Sequence, residues 1–151
     1  MRRTVIAVAV LLAVGGAVVL WPRGPRMSDE ARILETILAV KRAVETRDAG
    51  GVLKRISDDY SDGTHTKQDI VGLVVEAFRS PEPFHVHAEQ PQVTITGDRA
   101  TAQIRAEFWT GDNTTPSDHQ KLDVTAEFVR EGRTWKLSRA SGWEAAAGQV
   151  E

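Results

Sequence analysis

An uninterrupted apolar run near the amino terminus divides this 151-residue chain into two unequal parts. The run covers residues 5–20, follows two arginines and stops at Trp21, after which all the acidic residues are found. A helix needs about 20 apolar residues to cross the hydrocarbon of a bilayer, and residues 4–21 come close to that length. We therefore predict that residues 1–21 are a transmembrane anchor or uncleaved signal, which contacts the membrane through 4–21.

A cleaved secretory signal is the alternative interpretation of this segment. The apolar part of a signal peptide is shorter, about 7–15 residues, and ends at a cleavage site of small residues. Cleavage at the small residues Gly15–Ala17 would leave an apolar new terminus, because the run continues to Leu20. The sequence favours the uncleaved anchor, and the domain is exported under both interpretations.

The residues that flank the run predict its orientation. Two arginines lie on each side, so the positive-inside rule is nearly balanced. The short amino tail then favours an amino terminus in the cytoplasm. Most of the 19 basic residues are arginine, which is typical of GC-rich bacterial genes. We therefore expect a single-pass protein of the cytoplasmic (inner) membrane whose domain faces the periplasm or the cell exterior. The chain has no cysteine, which excludes disulfides and a lipidated cysteine as its anchor.

The rest of the chain divides into a linker, one domain and a short tail. Residues 22–27 contain two prolines and a glycine, which prevent a continuous helix and span at most about 20 Å. We predict a domain over 28–144 and a tail over 145–151. Residues 27–151 carry 15 basic and 21 acidic side chains, a formal charge of −6. This charge opposes the binding of nucleic acid or of anionic lipid headgroups.

The first half of the domain has the patterns of helices. Ser28 is a suitable N-cap for a helix with an apolar stripe that ends near residue 48. A short second helix is predicted from Val52 to about Ser57. A third begins at Thr66, where Asp69 completes a capping box.

The second half alternates apolar and polar residues with a period of two, which is typical of half-buried strands. The predicted strands consist of residues 84–88, 93–95, 100–109, 122–128 and 135–137. The sequence also predicts turns at 97–98 and 131–132 and a long polar loop at 111–120. Three helices followed by an antiparallel sheet with one apolar face predict an α+β domain whose helices cover that face.

The order of these elements resembles the nuclear transport factor 2-like superfamily, which includes the SnoaL-like cyclases. The resemblance covers residues 28–143 and is carried by the order of elements, by the segment Ser57–Asp62, by Ile95–Ala102 and by the closing Arg133–Ser138. It implies a cone-shaped domain with a pocket between the concave face of the sheet and three helices, and frequent dimerisation. Members include isomerases, cyclases, dehydratases and binding domains, so membership does not select a function.

The apolar face of the predicted sheet provides the candidate ligand pocket. Its candidate lining residues are Tyr60, Phe84, Val86, Ala102, Ile104, Ala106, Phe108, Val124, Ala126, Phe128 and Trp135. The alanines on this face permit two interpretations, close approach of a helix or a small apolar cavity.

Catalysis in such a pocket requires an ionisable group, and the apolar face of the sheet has none. A catalytic group would have to come from the loop that carries Asp58, Asp59, Tyr60, Asp62 and His65. The sequence favours an ordinary acidic turn there, with Tyr60 packed against the core.

Two further patterns lie on the polar face of the sheet. His85, His87 and Glu89 alternate on one side of a strand, but without a clear further ligand we predict a solvated surface and no metal or cofactor. Trp109 indicates either partial cover by another chain or a capped strand end. The charged side chains around it predict a monomer or weak dimer.

These observations predict a non-enzymatic domain that binds a small apolar ligand or an envelope protein partner. The alternative is an isomerase-, cyclase- or hydratase-like enzyme that acts on a small apolar substrate in the pocket, with Asp59 or Tyr60 as general acid or base.

Overall fold

A computed structural model of the chain describes residues 27–111 and 117–143. The predicted anchor, the linker up to residue 26 and the tail lie outside these residues. Among the helices that are described, none is both long and apolar enough to cross a membrane.

Three helices form the first half of the domain: α1 (Asp29–Glu45), α2 (Ala49–Leu53) and α3 (Lys67–Ala77). The predicted caps are confirmed: the Ser28 hydroxyl accepts the Ala31 N–H at 3.1 Å, and Asp69 accepts both the N–H and the hydroxyl of Thr66 at 2.8 Å. These bonds satisfy amide groups that have no partner within the helix, which explains where α1 and α3 begin.

The predicted position of the second helix was wrong by several residues. The helix starts at Ala49 because the Asp48 carboxylate accepts the Gly51 N–H at 2.9 Å and so caps it. It ends at Leu53 because the following backbone joins the sheet instead, where the Ser57 N–H donates to the Leu137 carbonyl at 2.8 Å. The sequence did not indicate this cap because Gly50 and Gly51 disfavour a helix.

One antiparallel sheet forms the second half, from β1 (Phe84–Ala88), β2 (Gln92–Thr96), β3 (Arg99–Thr110), β4 (Ser117–Glu131) and β5 (Thr134–Ser141). The order across the sheet is β1-β3-β4-β5, and β2 pairs with the first part of β3. The predicted loop at 111–120 was too long, because β4 already pairs with β3 at Ser117. Polar side chains do not prevent pairing, because the hydrogen bonds between strands join backbone groups.

The alternation of residues separates a buried face from an exposed one, as predicted. β3 alternates between exposed or half-buried and buried residues along its length. Its buried residues face the helices, and Thr36 of α1 donates to the Trp135 carbonyl at 3.2 Å where α1 meets β5. The hydrophobic core lies between the sheet and the helices, and the described core residues run from Ala31 to Trp143.

Candidate functional site

The predicted pocket residues all lie in the hydrophobic core. Each of the eleven side chains named above is at most 7% exposed, and all belong to one cluster. The rings of Phe84 and Phe108 lie 5.8 Å apart, and Ala102 lies opposite Ala126 across the β3–β4 pairing. These side chains form the contact layer between the sheet and the helices.

A cleft of about 870 Å³ lies at the edge of this core. The start of α1 forms one wall and the β4–β5 hairpin forms the other. Eleven residues line it: Met27, Ser28, Asp29, Arg32, Glu35, Thr36, Arg55, Arg130, Arg133, Thr134 and Trp135. We call it the arginine cleft, after the four arginines in its lining. Of the predicted pocket residues, Trp135 is the one that also lines this cleft.

Asp29 connects the two walls of the arginine cleft. Its carboxylate accepts hydrogen bonds from the Arg130 guanidinium at 2.6 Å and from the Trp135 indole N–H at 3.2 Å. The Arg130 guanidinium carbon also lies 4.9 Å from the centroid of the Trp135 ring, within the range of a cation–π contact. The first turn of α1 is thereby fixed to a hairpin about a hundred positions later in the chain.

The other three arginines are not neutralised in this way. No ion pair joins Arg32, Arg55 or Arg133 to a carboxylate among the described residues. Arg32 instead donates to the Arg133 carbonyl at 3.0 Å, and the Nε atom of Arg55 is buried without a hydrogen-bond partner in this part of the chain. Four arginines against two carboxylates give the lining a formal charge of +2, or +1 when Asp98 is counted, which pairs with Arg130 at 3.3 Å from outside the lining.

A second polar group lies in the loop before α3. The Asp62 carboxylate is 3.2 Å from the Tyr60 hydroxyl and 3.2 Å from Nδ1 of His65. It also accepts the N–H groups of Thr64 and His65 at 2.8 and 2.7 Å. The His65 ring packs at 5.2 Å from the ring of Trp143. We call Tyr60, Asp62, His65 and Trp143 the Asp62 cluster.

The environment of Asp62 holds its carboxyl in the charged form. The side chain is only 1% exposed, and burial by itself raises the pKa. The hydrogen bonds from the backbone of His65 and Thr64, together with the His65 ring, outweigh burial and set the pKa of Asp62 below its ordinary value. In the neutral tautomer whose Nδ1–H donates to this carboxylate, the lone pair of the His65 Nε2 atom is the one that can accept a proton.

The other acidic residues of the loop are on the surface. Asp59 is exposed, and Asp58 forms an ion pair with Lys67 at 2.6 Å, which lowers the pKa of Asp58. The hypothesis that Asp59 is a general base is therefore not favoured by its position. Tyr60 is buried, as predicted, and its hydroxyl contacts Asp62.

The two histidines of β1 lie at the surface, where His85 is half-buried and His87 is exposed. The ring N–H of His85 donates to the Gly111 carbonyl at 2.9 Å, and Glu89 pairs with Arg105 at 3.8 Å. In residues 27–111 and 117–143, no three side chains of ligating type are placed to hold a metal ion. Trp109 stacks on His85 with 5.5 Å between ring centroids and meets the edge of His119 at 5.8 Å, so residues of its own chain cover it in part.

The sequence signals for the two polar sites differ in strength. An Asp-Gly-Thr-His segment at 62–65 is a typical turn in which the aspartate accepts the following N–H groups, and this pattern could have indicated the Asp62 cluster. The arginine cleft has no comparable local signal. Its arginines come from α1, from the segment just after α2 and from the β4–β5 hairpin, and only the tertiary fold brings them together.

The fold places the domain among the cystatin-like α+β proteins. An NTF2-like protein with this fold from Novosphingobium aromaticivorans is 19% identical, covers 74% of this chain and 79% of its own, and gives a TM-score of 0.60. An NTF2-like protein from Cytophaga hutchinsonii is 14% identical over 76% of this chain and 97% of its own, with a TM-score of 0.62. One from Pseudomonas putida is 21% identical over 76% and 87%, also with a TM-score of 0.62.

The sequence defines the family more closely. The model of the SnoaL-like domain matches residues 25–141, so the chain belongs to the SnoaL-like domain family. The predicted resemblance to the nuclear transport factor 2-like superfamily is thereby confirmed. A search of the curated proteins found no match. In the Cytophaga protein the matching region makes up 97% of the chain, so there this fold forms nearly the whole protein.

Proposed function

We propose that the protein is a membrane-tethered, extracytoplasmic binding domain of non-enzymatic type, and that its ligand occupies the arginine cleft. The cleft carries this proposal because its volume of about 870 Å³ lies within the usual range for small-molecule sites, about 300–1,000 Å³. Met27, which is 42% exposed, supplies apolar surface and the arginines supply polar groups, while Thr36 and Trp135 lie buried in the floor of the cleft. The predicted apolar ligand would contact Met27 here, at the edge of the predicted pocket to which the buried Trp135 belongs.

The binding proposal is tested with segment 27–151 and the neutral fluorophore N-phenyl-1-naphthylamine, whose emission rises in apolar surroundings. We expect saturable binding to the wild type. A Thr134→Trp variant should bind about tenfold more weakly, because Thr134 is exposed in the wall of the cleft and a larger ring there fills it. The matched control is Thr94→Trp, at an exposed position of β2. Equal binding by both variants would exclude the cleft as the site, and an envelope protein would then become the stronger candidate partner.

The tether is tested with the full chain in bacterial membranes. Apolar burial is insensitive to salt and to alkali, so an uncleaved anchor keeps the protein with the membrane through a high-salt and an alkaline wash. The mature protein should begin at or near Met1. A soluble protein that begins at Val18 would contradict the tether but would leave the binding proposal intact.

The Asp62 cluster favours a second candidate function, an isomerase- or hydratase-like activity. An imidazole oriented by a buried carboxylate is a common general base, and Nε2 of His65 has no hydrogen-bond partner within the described residues. We would follow the conversion of 3-cyclohexen-1-one to its conjugated isomer by ultraviolet absorbance. Conversion above the buffer rate that is lost in both His65→Gln and Asp62→Asn would support the enzyme. A wild type no faster than buffer would favour the binding domain.

A further inference from the structure

The arginine cleft differs in charge from the domain that contains it. Residues 27–151 have a formal charge of −6, whereas the lining of the cleft has a formal charge of +2. On the opposite face of the sheet, basic side chains are matched by carboxylates, as in the pairs of Lys121 with Glu107 at 3.0 Å and of Arg105 with Asp123 at 3.5 Å. An excess of arginine within one concave site therefore needs a specific explanation.

The internal partners of the cleft leave several guanidinium donors unused. Asp29 is committed to Arg130 and Trp135, as described above. The other carboxylate of the lining, Glu35, is exposed and forms no ion pair with a described residue. Arg55 is half-buried, and its Nε–H lies below the surface without an acceptor. A buried donor without an acceptor is costly, and an oxyanion bound at the accessible part of the same guanidinium would offset that cost.

We propose that the arginine cleft binds the oxyanion group, a phosphate or a carboxylate, of an amphipathic small molecule whose apolar body lies against the exposed side chain of Met27. Guanidinium groups match both oxyanions because each presents parallel N–H donors in one plane. This inference rests on the proposed function, since it assigns the chemical class of the ligand of the same site.

The position of the cleft allows two sources for such a ligand. Met27 lines the cleft and is the last residue of the predicted linker, whose six residues span at most about 20 Å. The headgroup of an anionic lipid in the same membrane is therefore within reach of a tethered domain. A soluble amphiphile on the outer side of the membrane has the same chemistry.

The experiment compares two probes of the same shape, 2-naphthoate and 2-naphthamide, which differ in charge. The full chain is held in phosphatidylcholine nanodiscs and titrated in a calorimeter, and heats from empty nanodiscs are subtracted. We expect naphthoate to bind about tenfold more tightly than naphthamide, since one charge-assisted pair accounts for that ratio. Added salt should reduce the difference.

Matched arginine variants locate the oxyanion. Arg133 is exposed in the hairpin, whereas Arg55 is half-buried. If Arg55→Gln fails to fold, Arg133→Gln still tests the oxyanion site. Each should weaken naphthoate binding about fivefold and naphthamide binding clearly less, because a neutral amide oxygen accepts a weaker hydrogen bond than a carboxylate. The control Arg79→Gln makes the same change of charge at an exposed residue just beyond α3, outside the lining, and should have no effect.

Three outcomes separate the inference from the function on which it rests. Equal binding of the two probes, or equal effects of Arg133→Gln and Arg79→Gln, would overturn the oxyanion site while the cleft remains a ligand site. Failure of both probes to bind would contradict the proposed function itself. If the oxyanion site is correct, phosphatidylglycerol nanodiscs distinguish the sources: a lipid ligand competes with naphthoate and weakens its binding, whereas a soluble ligand leaves its binding unchanged.

Discussion

The polar groups at the two ends of β5 differ in exposure and in how completely they are hydrogen-bonded. At the amino end, Asp29 joins Arg130 beside Trp135, and both members of this ion pair are about one-third exposed. At the carboxyl end, the Asp62 side chain is 1% exposed and accepts four hydrogen bonds from its own loop. The strand between them spans roughly 23 Å. One end is open and has an excess of cations, while the other is closed and locally satisfied.

This difference indicates how each end contributes to the protein. A buried carboxylate with complete hydrogen bonding stabilises the loop that it organises, because its loss leaves several donors without a partner. A partly exposed ion pair contributes little to stability, because solvent screens the attraction and the two side chains lose conformational entropy when they pair. We therefore expect the carboxyl end to matter for folding and the amino end for binding.

Replacement of Asp62 should have the largest effect on stability. Asp62→Ala removes the acceptor of the Thr64 and His65 amides, and we expect a loss of about 2–3 kcal/mol in the free energy of unfolding. Chemical denaturation of segment 27–151 measures it. The matched control is Asp59→Ala, an exposed aspartate of the same loop, which should change stability by less than about 0.5 kcal/mol. Equal effects of the two variants would remove the distinction between the ends of β5.

The pH dependence of the same pair of variants provides an internal check. The pKa of Asp62 is lower in the folded state than in the unfolded chain, so its charge stabilises the fold above the unfolded pKa, about 3.9. That part of the stability is lost as the pH falls through the folded pKa. The deficit of Asp62→Ala should therefore shrink below about pH 4, while that of Asp59→Ala should change little.

The sheet could be predicted from the sequence because one of its faces is solvated. Alternation with a period of two then reports burial directly, and the buried apolar residues of β3 are those that the pattern assigned to the core. The start of α3 was predictable because a capping box is local. The arginine cleft was not, because Asp29 and Arg130 are far apart in sequence and no local pattern records their contact.

The centre of the sheet, between the two ends, provides the next test. Ala106 of β3 is 4% exposed and lies opposite Ala88 on one side and Leu122 on the other. Ala106→Leu should cost about 1–3 kcal/mol because extra methyl groups in a close-packed core cause strain. The control, Thr94→Leu, is exposed on β2 and should be nearly neutral. A wild-type melting temperature for Ala106→Leu would instead indicate an internal cavity and support an apolar ligand inside the core.

Neutralising Asp29 should destabilise the protein less than either change above. Asp29→Asn weakens the ion pair with Arg130 but keeps an oxygen that can accept the Trp135 N–H, so we expect a loss below about 1 kcal/mol that decreases with added salt. Glu30→Gln is the matched control, because it removes an exposed charge from the same first turn of α1 and has the same effect on the helix dipole. A loss as large as that of Asp62→Ala would show that the amino end also holds the fold together.

The smallest effect is expected at Trp109, on the face of the sheet that neither site uses. A dimer through this face would have to remove water from Arg105, Glu107 and Lys121, and such charges are depleted from interface cores. Segment 27–151 should therefore sediment as a monomer or weak dimer at micromolar concentration. Trp109→Ala should weaken any dimer by only a few-fold, because the ring already packs against His85 of its own chain.

A tight dimer that is indifferent to Trp109→Ala would place the interface elsewhere. If that dimer also lost its stability in Asp29→Asn, the arginine cleft would be part of the interface, and its arginines would then be explained by a second copy of the chain.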